Sequence, residues 1–216
     1  MGSERSERSR SLWQGERVRL RPVEPDDWAT FYGWGQDDLI SRMAERVAFP
    51  ESREAVRRWT ERVATKEPVN DRFRWVMVND DDEAVGSINT HSCDRRVGSF
   101  SYGIVLDARW QGQGFGSEAI RLVLRYYFTE LGYQKVTVHV YEFNEGSRRL
   151  HEGLGFAREG RLRREAYADG RLWDVLVYGM TREEFAAREE EKLPVFAPEE
   201  VPAAAAISGD GDSRGA

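Results

Sequence analysis

The sequence has little cysteine and little histidine, and it lacks long apolar runs. A single cysteine, Cys93, among 216 residues excludes an intramolecular disulfide. No apolar segment approaches the roughly 18 residues of a membrane-spanning helix, and none has the form of a signal-peptide core. The 38 acidic residues outnumber the 32 basic ones, and the net charge of −6 disfavours nucleic acids and anionic membranes as partners. These absences favour a cytoplasmic enzyme or binding protein.

The few residues that could ligate a metal do not form a pattern. His91 and His139 are far apart in the sequence and have no ligand-like spacing with Cys93 or with the acidic turn at 80–83. We therefore expect no metal site. No base is paired with Cys93 in the sequence, so we interpret it as an ordinary strand residue.

Composition separates one folded unit from two tails. Residues 1–11 lack apolar periodicity, and residues 193–216 carry Pro, Ala and Gly without a pattern that could be buried. Both segments are predicted to be disordered. The hydrophobic fraction of 40% suffices for one sizeable core, which we place in a single domain at 12–192.

Hydrophobic periodicity within this domain predicts an α+β fold. Strands are predicted at 17–21, 72–79, 84–89, 97–106 and 134–141, and a hairpin at 155–180 with its turn at Asp169–Gly170. Two helices are predicted between the first two strands, one from Asp26 and one at 50–66, and further helices at 115–132 and 144–154. The order implies a mixed sheet with one parallel crossover through the helix at 115–132.

A glycine-rich turn, QGQGFG at 111–116, lies between a strand and that helix. Free backbone N–H groups at a helix N-terminus, aided by the helix dipole, bind phosphate without any lysine. A P-loop is rejected because no lysine follows the glycines, and a dinucleotide fingerprint is disfavoured by Ser117 and by the late position in the chain. A tight turn that only allows close helix packing remains an alternative.

Two motifs together resemble the GNAT superfamily of N-acetyltransferases. Residues 111–116 match the Q/R-x-x-G-x-G/A loop that binds the acetyl-coenzyme A pyrophosphate, and residues 144–156 resemble the N-x-x-S-x-x-L-Y-x-x-x-G-F segment. Upstream, VRLRP and the run at 34–59 look like the RimJ/RimL-type branch, which acetylates protein N-termini and related amines. The resemblance covers about residues 14–182.

The resemblance implies a mixed central sheet of about seven strands flanked by helices. Two parallel strands, 101–106 and 135–141 here, would splay to admit the pantetheine arm of acetyl-CoA. The residues it assigns to acetyl-CoA are Ile104 and Val105 through their backbone, the loop residues Gln111, Gly112, Gln113, Gly114, Phe115, Gly116 and Ser117, and Asn144.

Acetyl transfer to an amine needs a base for the ammonium and a donor for the departing sulfur. Glu142, at the end of a strand beside the gap, is the candidate base. Ser147 matches the family serine that can serve the sulfur, although its hydroxyl could instead satisfy the first turn of its own helix. At His151 the sequence departs from the family, which usually has Tyr there as general acid. Either His151 donates the proton, or it has become a packing residue.

The resulting interpretation is an acetyl-CoA-dependent N-acetyltransferase that works by direct attack of a primary amine in a ternary complex. By resemblance, Tyr32, Trp34, Phe49 and Tyr102 line the acceptor side. The acceptor is left open among a protein N-terminus, a polyamine, an antibiotic and a small metabolite. The alternatives are a non-catalytic CoA-binding module, use of another acyl-CoA such as succinyl-CoA, and a nucleotide-dependent oxidoreductase. A homodimer through the C-terminal hairpin is also considered.

Overall fold

The computed structural model describes residues 11–44 and 47–190. The tails predicted at 1–11 and 193–216 therefore lie outside the described residues, apart from Ser11. Ser11 accepts hydrogen bonds from the backbone N–H groups of Trp13 and Gln14. It thus belongs to the turn that leads into the first strand.

In the described residues, seven strands form one mixed sheet. They are β1 (Arg19–Pro22), β2 (Arg74–Val78), β3 (Ala84–Asp94), β4 (Ser99–Leu106), β5 (Lys135–Tyr141), β6 (Ala157–Ala168) and β7 (Arg171–Thr181). Their order across the sheet is β1-β2-β3-β4-β5-β7-β6. Only the β4–β5 pair is parallel. The predicted α+β class with one parallel crossover is confirmed.

Six α-helices flank the sheet in the described part of the chain. They are α1 (Trp28–Gly35), α2 (Asp38–Ala44), α3 (Arg53–Ala64), α4 (Phe115–Arg125), α5 (Glu145–Leu154) and α6 (Arg182–Glu190). A π-helical turn at Tyr126–Glu130 prolongs α4, so helical structure covers 115–130 of the predicted 115–132, and Gly132 follows with a positive φ. Local signals explain several boundaries: the Ser52 hydroxyl caps α3, and Asp169 and Gly170 both have positive φ in the β6–β7 turn.

Two helices depart from the prediction. The segment between β1 and β2 holds three α-helices rather than two, because α2 also forms there although none of its residues is buried. The other addition is α6, which starts with reciprocal bonds between Thr181 and Glu184: the Thr181 N–H donates to Oε2 (2.8 Å), and the Glu184 N–H donates to Oγ1 (3.2 Å).

The sheet has two differently covered faces, here called the α4 face and the α3 face. On the α4 face, Phe100 and Val136 are buried in the main core together with α4. On the α3 face, Val76 and Val78 pack against Phe31 of α1 and against α3. Because side chains alternate along a strand, the register assigns every residue of β3, β4 and β5 to one face or the other.

Parallel pairing between β4 and β5 ends almost as soon as it begins. The register joins Ser99 with Lys135 and Phe100 with Val136, and no pair follows. Residues 101–106 of β4 remain paired with β3, and β5 remains paired with β7. A gap therefore opens between the carboxyl halves of β4 and β5.

Candidate active site

The gap exposes backbone hydrogen-bonding groups of β4. The Asp107 N–H donates to the Val85 carbonyl at 3.0 Å, on the β3 side. Since an antiparallel strand directs alternate residues to opposite neighbours, the odd-numbered residues of β4 face β3 and the even-numbered ones face the gap. Of the two residues predicted to pair with a pantetheine arm, Ile104 presents its N–H and C=O to the gap, whereas Val105 pairs with β3. The next backbone groups of β4 that face the gap belong to Leu106.

The glycine loop leads from β4 to the start of α4. Gly112 (φ +74°) and Gly114 (φ +92°) occupy the left-handed region, which favours glycine. The Glu118 N–H donates to the Gly114 carbonyl at 3.1 Å and forms the first bond of the helix. The N–H groups of Phe115, Gly116 and Ser117 precede it and have no partner within the helix. Three amides and the helix dipole thus favour an anion at the mouth of the gap.

Gly116 has a packing role. A Cβ at this position would stand 2.9 Å from the Leu106 Cδ1 atom, and it would also approach Leu150 and Ile104. A side chain at 116 would therefore require the end of the Leu106 side chain to move. The close packing that was the alternative to phosphate binding is present here alongside the free amides.

The side chains of the two glutamines, Gln111 and Gln113, stabilise the loop through hydrogen bonds to nearby backbone carbonyls. The Gln111 Nε2 group donates to the Leu106 carbonyl at 3.2 Å, and the Gln113 Nε2 group donates to the Arg109 carbonyl at 2.8 Å. Their side chains hold the loop conformation, so the backbone amides at the start of α4 remain the free donors of the loop.

Arg17 adds a cation that the loop motif does not contain. Its Nη1 group donates to the Gln113 carbonyl at 3.1 Å and lies 3.3 Å from where a Cβ on Gly114 would be. The Arg17 N–H is held in turn by the Glu118 carboxylate. The segment before β1 therefore places an exposed guanidinium on the anion-binding loop. No sequence motif marks Arg17, and only its place in a basic run before β1 could have suggested it.

Asn144 caps α5 and joins two parts of the fold. Its Oδ1 atom accepts from the Ser147 N–H at 3.0 Å, and its Nδ2 group donates to the Met43 carbonyl of α2 at 3.1 Å. Both ends of the amide are engaged within the protein. Asn144 thereby fixes the start of α5 relative to α2, beside the gap.

His151 is buried and has a defined tautomer. Its Nδ1 atom lies 2.7 Å from the Ser147 carbonyl, which can only accept, so Nδ1 carries the proton. The Ser147 hydroxyl lies 3.3 Å from the same nitrogen. Burial lowers the pKa of His151, partly offset by the bond to the Ser147 carbonyl. The ring is therefore neutral, and Nε2 carries a lone pair rather than a proton.

Tyr102 lies against this imidazole on the α4 face. The two rings are nearly parallel, at an interplanar angle of 22°, with centroids 5.8 Å apart. Among the described residues, neither the Tyr102 hydroxyl nor the His151 Nε2 atom has a hydrogen-bond partner, although both are buried. Buried polar atoms normally have partners. Burial also raises the pKa of Tyr102 well above its usual value, so its hydroxyl stays protonated.

Glu142, the candidate base, follows β5 and is already paired. Its carboxylate lies 3.2 Å from the Arg161 guanidinium, which also binds Asp174. The Glu142 backbone carbonyl accepts from Arg148 at 3.3 Å. The structure thus places Glu142 in an ion-pair cluster that joins β5 to the β6–β7 hairpin.

The four aromatic residues predicted to line the acceptor side do not share one environment. Tyr32 lies under the Arg53 guanidinium at 5.6 Å, and Phe49 is 95% exposed. The Trp34 indole N–H donates at 3.1 Å to Asp107, whose pKa is lowered to about 2 chiefly by hydrogen bonds from Arg109. Trp34 thereby ties α1 to the end of β4. Tyr102 faces α5, on the other side of the sheet.

His91 and His139, which are far apart in the sequence, reach the same face of the sheet. His91 pairs with Ser101 of β4, and the register places His139 of β5 on the same α3 face. No group of three or more metal-ligating side chains occurs among residues 11–44 and 47–190. In the same ranges, no helix has the length and apolar character needed to cross a membrane.

Comparisons with known proteins agree with this geometry. Residues 17–157 match the family model described as "Acetyltransferase (GNAT) domain". The SPbeta prophage-derived N-acetyltransferase YokL of Bacillus subtilis is 43% identical over 175 residues, which cover 81% of this chain and 96% of the relative. The spermidine N(1)-acetyltransferase of Vibrio cholerae is 28% identical over 121 residues, which cover 56% of this chain and 70% of that one.

A solved structure shows the same fold. Spermidine N-acetyltransferase from Vibrio cholerae in complex with CoA and spermine matches with a TM-score of 0.70 and 22% identity, covering 80% of this chain and 99% of that one. This likeness confirms the predicted fold class. The roles of the site residues are inferred from the geometry of this chain alone.

The residues around the gap fit coenzyme A. Three free amides and Arg17 suit a diphosphate, and the even-numbered backbone groups of β4 suit an extended amide-containing arm. The unpartnered Tyr102 hydroxyl and His151 Nε2 atom lie on β4 and α5 beside the same gap. Among the described residues, the helix amides, the Tyr102 hydroxyl and the His151 Nε2 atom are thus unused by the protein, whereas the Leu106 carbonyl already accepts from Gln111.

Replacing Arg17 tests the new phosphate contact. Arg17→Gln is expected to raise the Kd for CoA about 3- to 10-fold at low ionic strength, since an exposed charge pair contributes on the order of 1 kcal/mol. The difference should shrink in high salt because screening weakens the attraction. Isothermal titration calorimetry at two salt concentrations measures both effects.

Arg96→Gln is the matched control. Arg96 is also exposed but lies in the β3–β4 turn, at the opposite end of β4 from the loop. Its replacement should leave the Kd unchanged. Equal CoA affinity of the Arg17→Gln variant and the original protein at low salt would contradict the assignment.

Proposed function

The chain belongs to the GNAT acetyltransferase family and is an acetyl-CoA-dependent N-acetyltransferase, and from this we propose that its acceptor is a primary amine that attacks the thioester directly. The supporting observation is the gap between β4 and β5 with the amides of 115–117 at its mouth. One ligand spans both features only if it carries an anion at one end and an extended arm at the other. The arm then points along the gap towards the place where the strands meet.

The chain holds and aims this ligand with backbone groups. The amides of 115–117 and the Arg17 guanidinium would bind the diphosphate, and Ile104 would pair with the arm. Acetyl-CoA supplies an activated acetyl thioester. A β4 N–H that faces the gap would donate to the thioester carbonyl oxygen, where negative charge grows, and such a preorganised donor contributes about 3 kcal/mol.

We propose Tyr102 as the donor to the departing sulfur. Its hydroxyl is protonated, buried and without a partner among the described residues, on the strand that borders the gap. His151 holds its proton at Nδ1 against the Ser147 carbonyl, so its Nε2 atom is an unused acceptor beside the Tyr102 ring, although it forms no hydrogen bond with the Tyr102 hydroxyl. Ser147 contributes its carbonyl and stays a second candidate donor through its hydroxyl. The reaction would thus still use a tyrosine hydroxyl, as is usual in the family, but the tyrosine would lie on β4 instead of at position 151 in α5.

The acceptor would approach from the α3 face. Tyr32 and Phe49 belong to the helical segment that covers this face, and their role in binding the acceptor stays a prediction. The same holds for the RimJ/RimL-type assignment. Spermidine acetyltransferases among the relatives support an amine acceptor but do not decide between a polyamine and a protein N-terminus.

A homodimer through the β6–β7 hairpin also stays a prediction. Support comes from β6, an edge strand that is exposed along most of its length, and from the exposed side chains Leu162, Tyr167 and Leu172. Large apolar side chains on an edge strand favour contact with another chain.

Acetyl transfer is tested with acetyl-CoA and defined amines. Spermidine, a peptide with N-terminal alanine and an aminoglycoside are offered separately, and free thiol is measured together with the mass of the acceptor. At least one of these amines is expected to gain one acetyl group with matching thiol release. Tight CoA binding without thiol release on any of them would instead support a non-catalytic CoA-binding module.

Tyr102→Phe tests the sulfur donor. The variant is expected to lower kcat about 100-fold, as for the loss of a general acid, while the Kd for CoA changes by less than about twofold. Removing a hydroxyl without a partner should not destabilise the fold. Tyr133→Phe is the control, because its hydroxyl donates to Asp71 at 2.8 Å, away from the gap. An unchanged kcat in Tyr102→Phe would exclude the assignment.

A further inference from the structure

Two imidazoles flank β4 on the α3 face, next to the point where β4 and β5 part. His91 on β3 stands opposite Ser101, the first residue of β4 beyond the last parallel pair. His139 lies on β5, three residues past Val136, and therefore on the same face as Ser101. Both side chains are exposed. The acceptor amine would come from this face.

The two rings stand on either side of β4, and their charges influence each other. The pKa of His91 is lowered by partial burial and, secondly, by the charge of His139. At neutral pH His91 is thus a neutral ring that can take up a proton. Between the two imidazoles, β4 contributes only Ser101 and Gly103 to this face, so no charged side chain of β4 separates them.

The remaining charged groups near this face are already engaged or lie towards its edges. They are the Lys135–Glu159 ion pair, Arg74 against Trp59 and Ser87, Asp94 in the β3–β4 turn, and the Arg42–Asp169 pair between α2 and the hairpin. Glu142 is paired with Arg161. Among the described residues beside the gap on this face, the imidazoles are therefore the proton acceptors that no ion pair engages, although the His91 Nδ1 atom lies 3.1 Å from the Ser92 hydroxyl oxygen.

We infer that His139 is the base that takes the proton from the acceptor ammonium, with His91 across β4 as a second imidazole on the same face. The inference rests on the proposed function and replaces Glu142 as the proton acceptor. A base is required because an alkyl amine, with a pKa near about 10, is protonated at neutral pH and has no lone pair for attack. An imidazole operates in the pH range in which that proton must leave.

The proton transfer fits a balanced reaction. The ammonium gives one proton to the imidazole, and the freed lone pair forms the C–N bond as the C–S bond breaks and its electron pair leaves with sulfur. Tyr102 protonates the sulfur and regains a proton from the acylated nitrogen. His139 then releases its proton to water, so the products are the amide, the thiol and one proton.

The test compares His139→Gln with the original protein on the amine that the panel identifies. The variant is expected to lower kcat/KM at pH 7 about 100-fold, with an unchanged Kd for CoA by calorimetry. Its rate should rise with pH in proportion to the free amine, without the inflection of an imidazole. His91→Gln, which leaves the imidazole on β5 beside the gap, is expected to lower kcat/KM by less than about tenfold.

Chemical rescue separates a proton acceptor from a structural side chain. Because His139 is exposed, the space left in His139→Ala is open to solutes, and added imidazole is expected to restore part of the lost rate. A neutral arylamine acceptor has no ammonium proton to lose, so His139→Gln and the original protein should acetylate it equally well.

Two outcomes would overturn the inference. If His139→Gln keeps kcat/KM and its pH profile, His139 is not the base and the proposed function stands. If the original protein transfers acetyl to no amine, the proposed function and the inference fail together.

Discussion

The site depends on how early the pairing between β4 and β5 ends. The parallel pair lasts for two residue pairs, ending at Phe100 and Val136, and both strands then keep their outer partners, β3 and β7. A strand with one free side in the middle of a sheet leaves backbone groups that must be satisfied. In this molecule those groups belong to the even-numbered residues of β4, and an extended amide ligand would provide the missing partner.

The sheet divides the chemistry between its two faces. The α4 face holds the anion-binding start of α4, the Tyr102 hydroxyl and the His151 ring in a dry environment. The α3 face carries His91 and His139 in contact with solvent. Under the proposed roles, the sulfur would receive its proton and the ammonium would lose one from opposite sides of the same gap. Arg17, which reaches the loop from before β1, adds charge where the diphosphate would bind.

Local signals made much of the fold predictable. The apolar stripe of α4, the Ser52 cap and the Asp169–Gly170 turn each fix an element through near neighbours. By contrast, α2 buries none of its residues, so hydrophobic periodicity could not predict it. For α6 a local signal was available in the Thr181–Glu184 capping box. Motifs located the loop and the start of α5. The Arg17 contact, the pairing of Glu142 with Arg161 and the approach of His91 to His139 depend on the sheet order, which no local pattern encodes.

Hydrogen exchange of individual backbone amides, measured by NMR with and without saturating CoA, tests the central claim most directly. The account predicts that exchange slows at Ile104 and Leu106, which face the gap, and at 115–117, and that it changes less at Gly103 and Val105, which already pair with β3. Equal slowing at odd and even positions of β4, or no slowing at all, would contradict the claim that the free side of β4 receives the ligand.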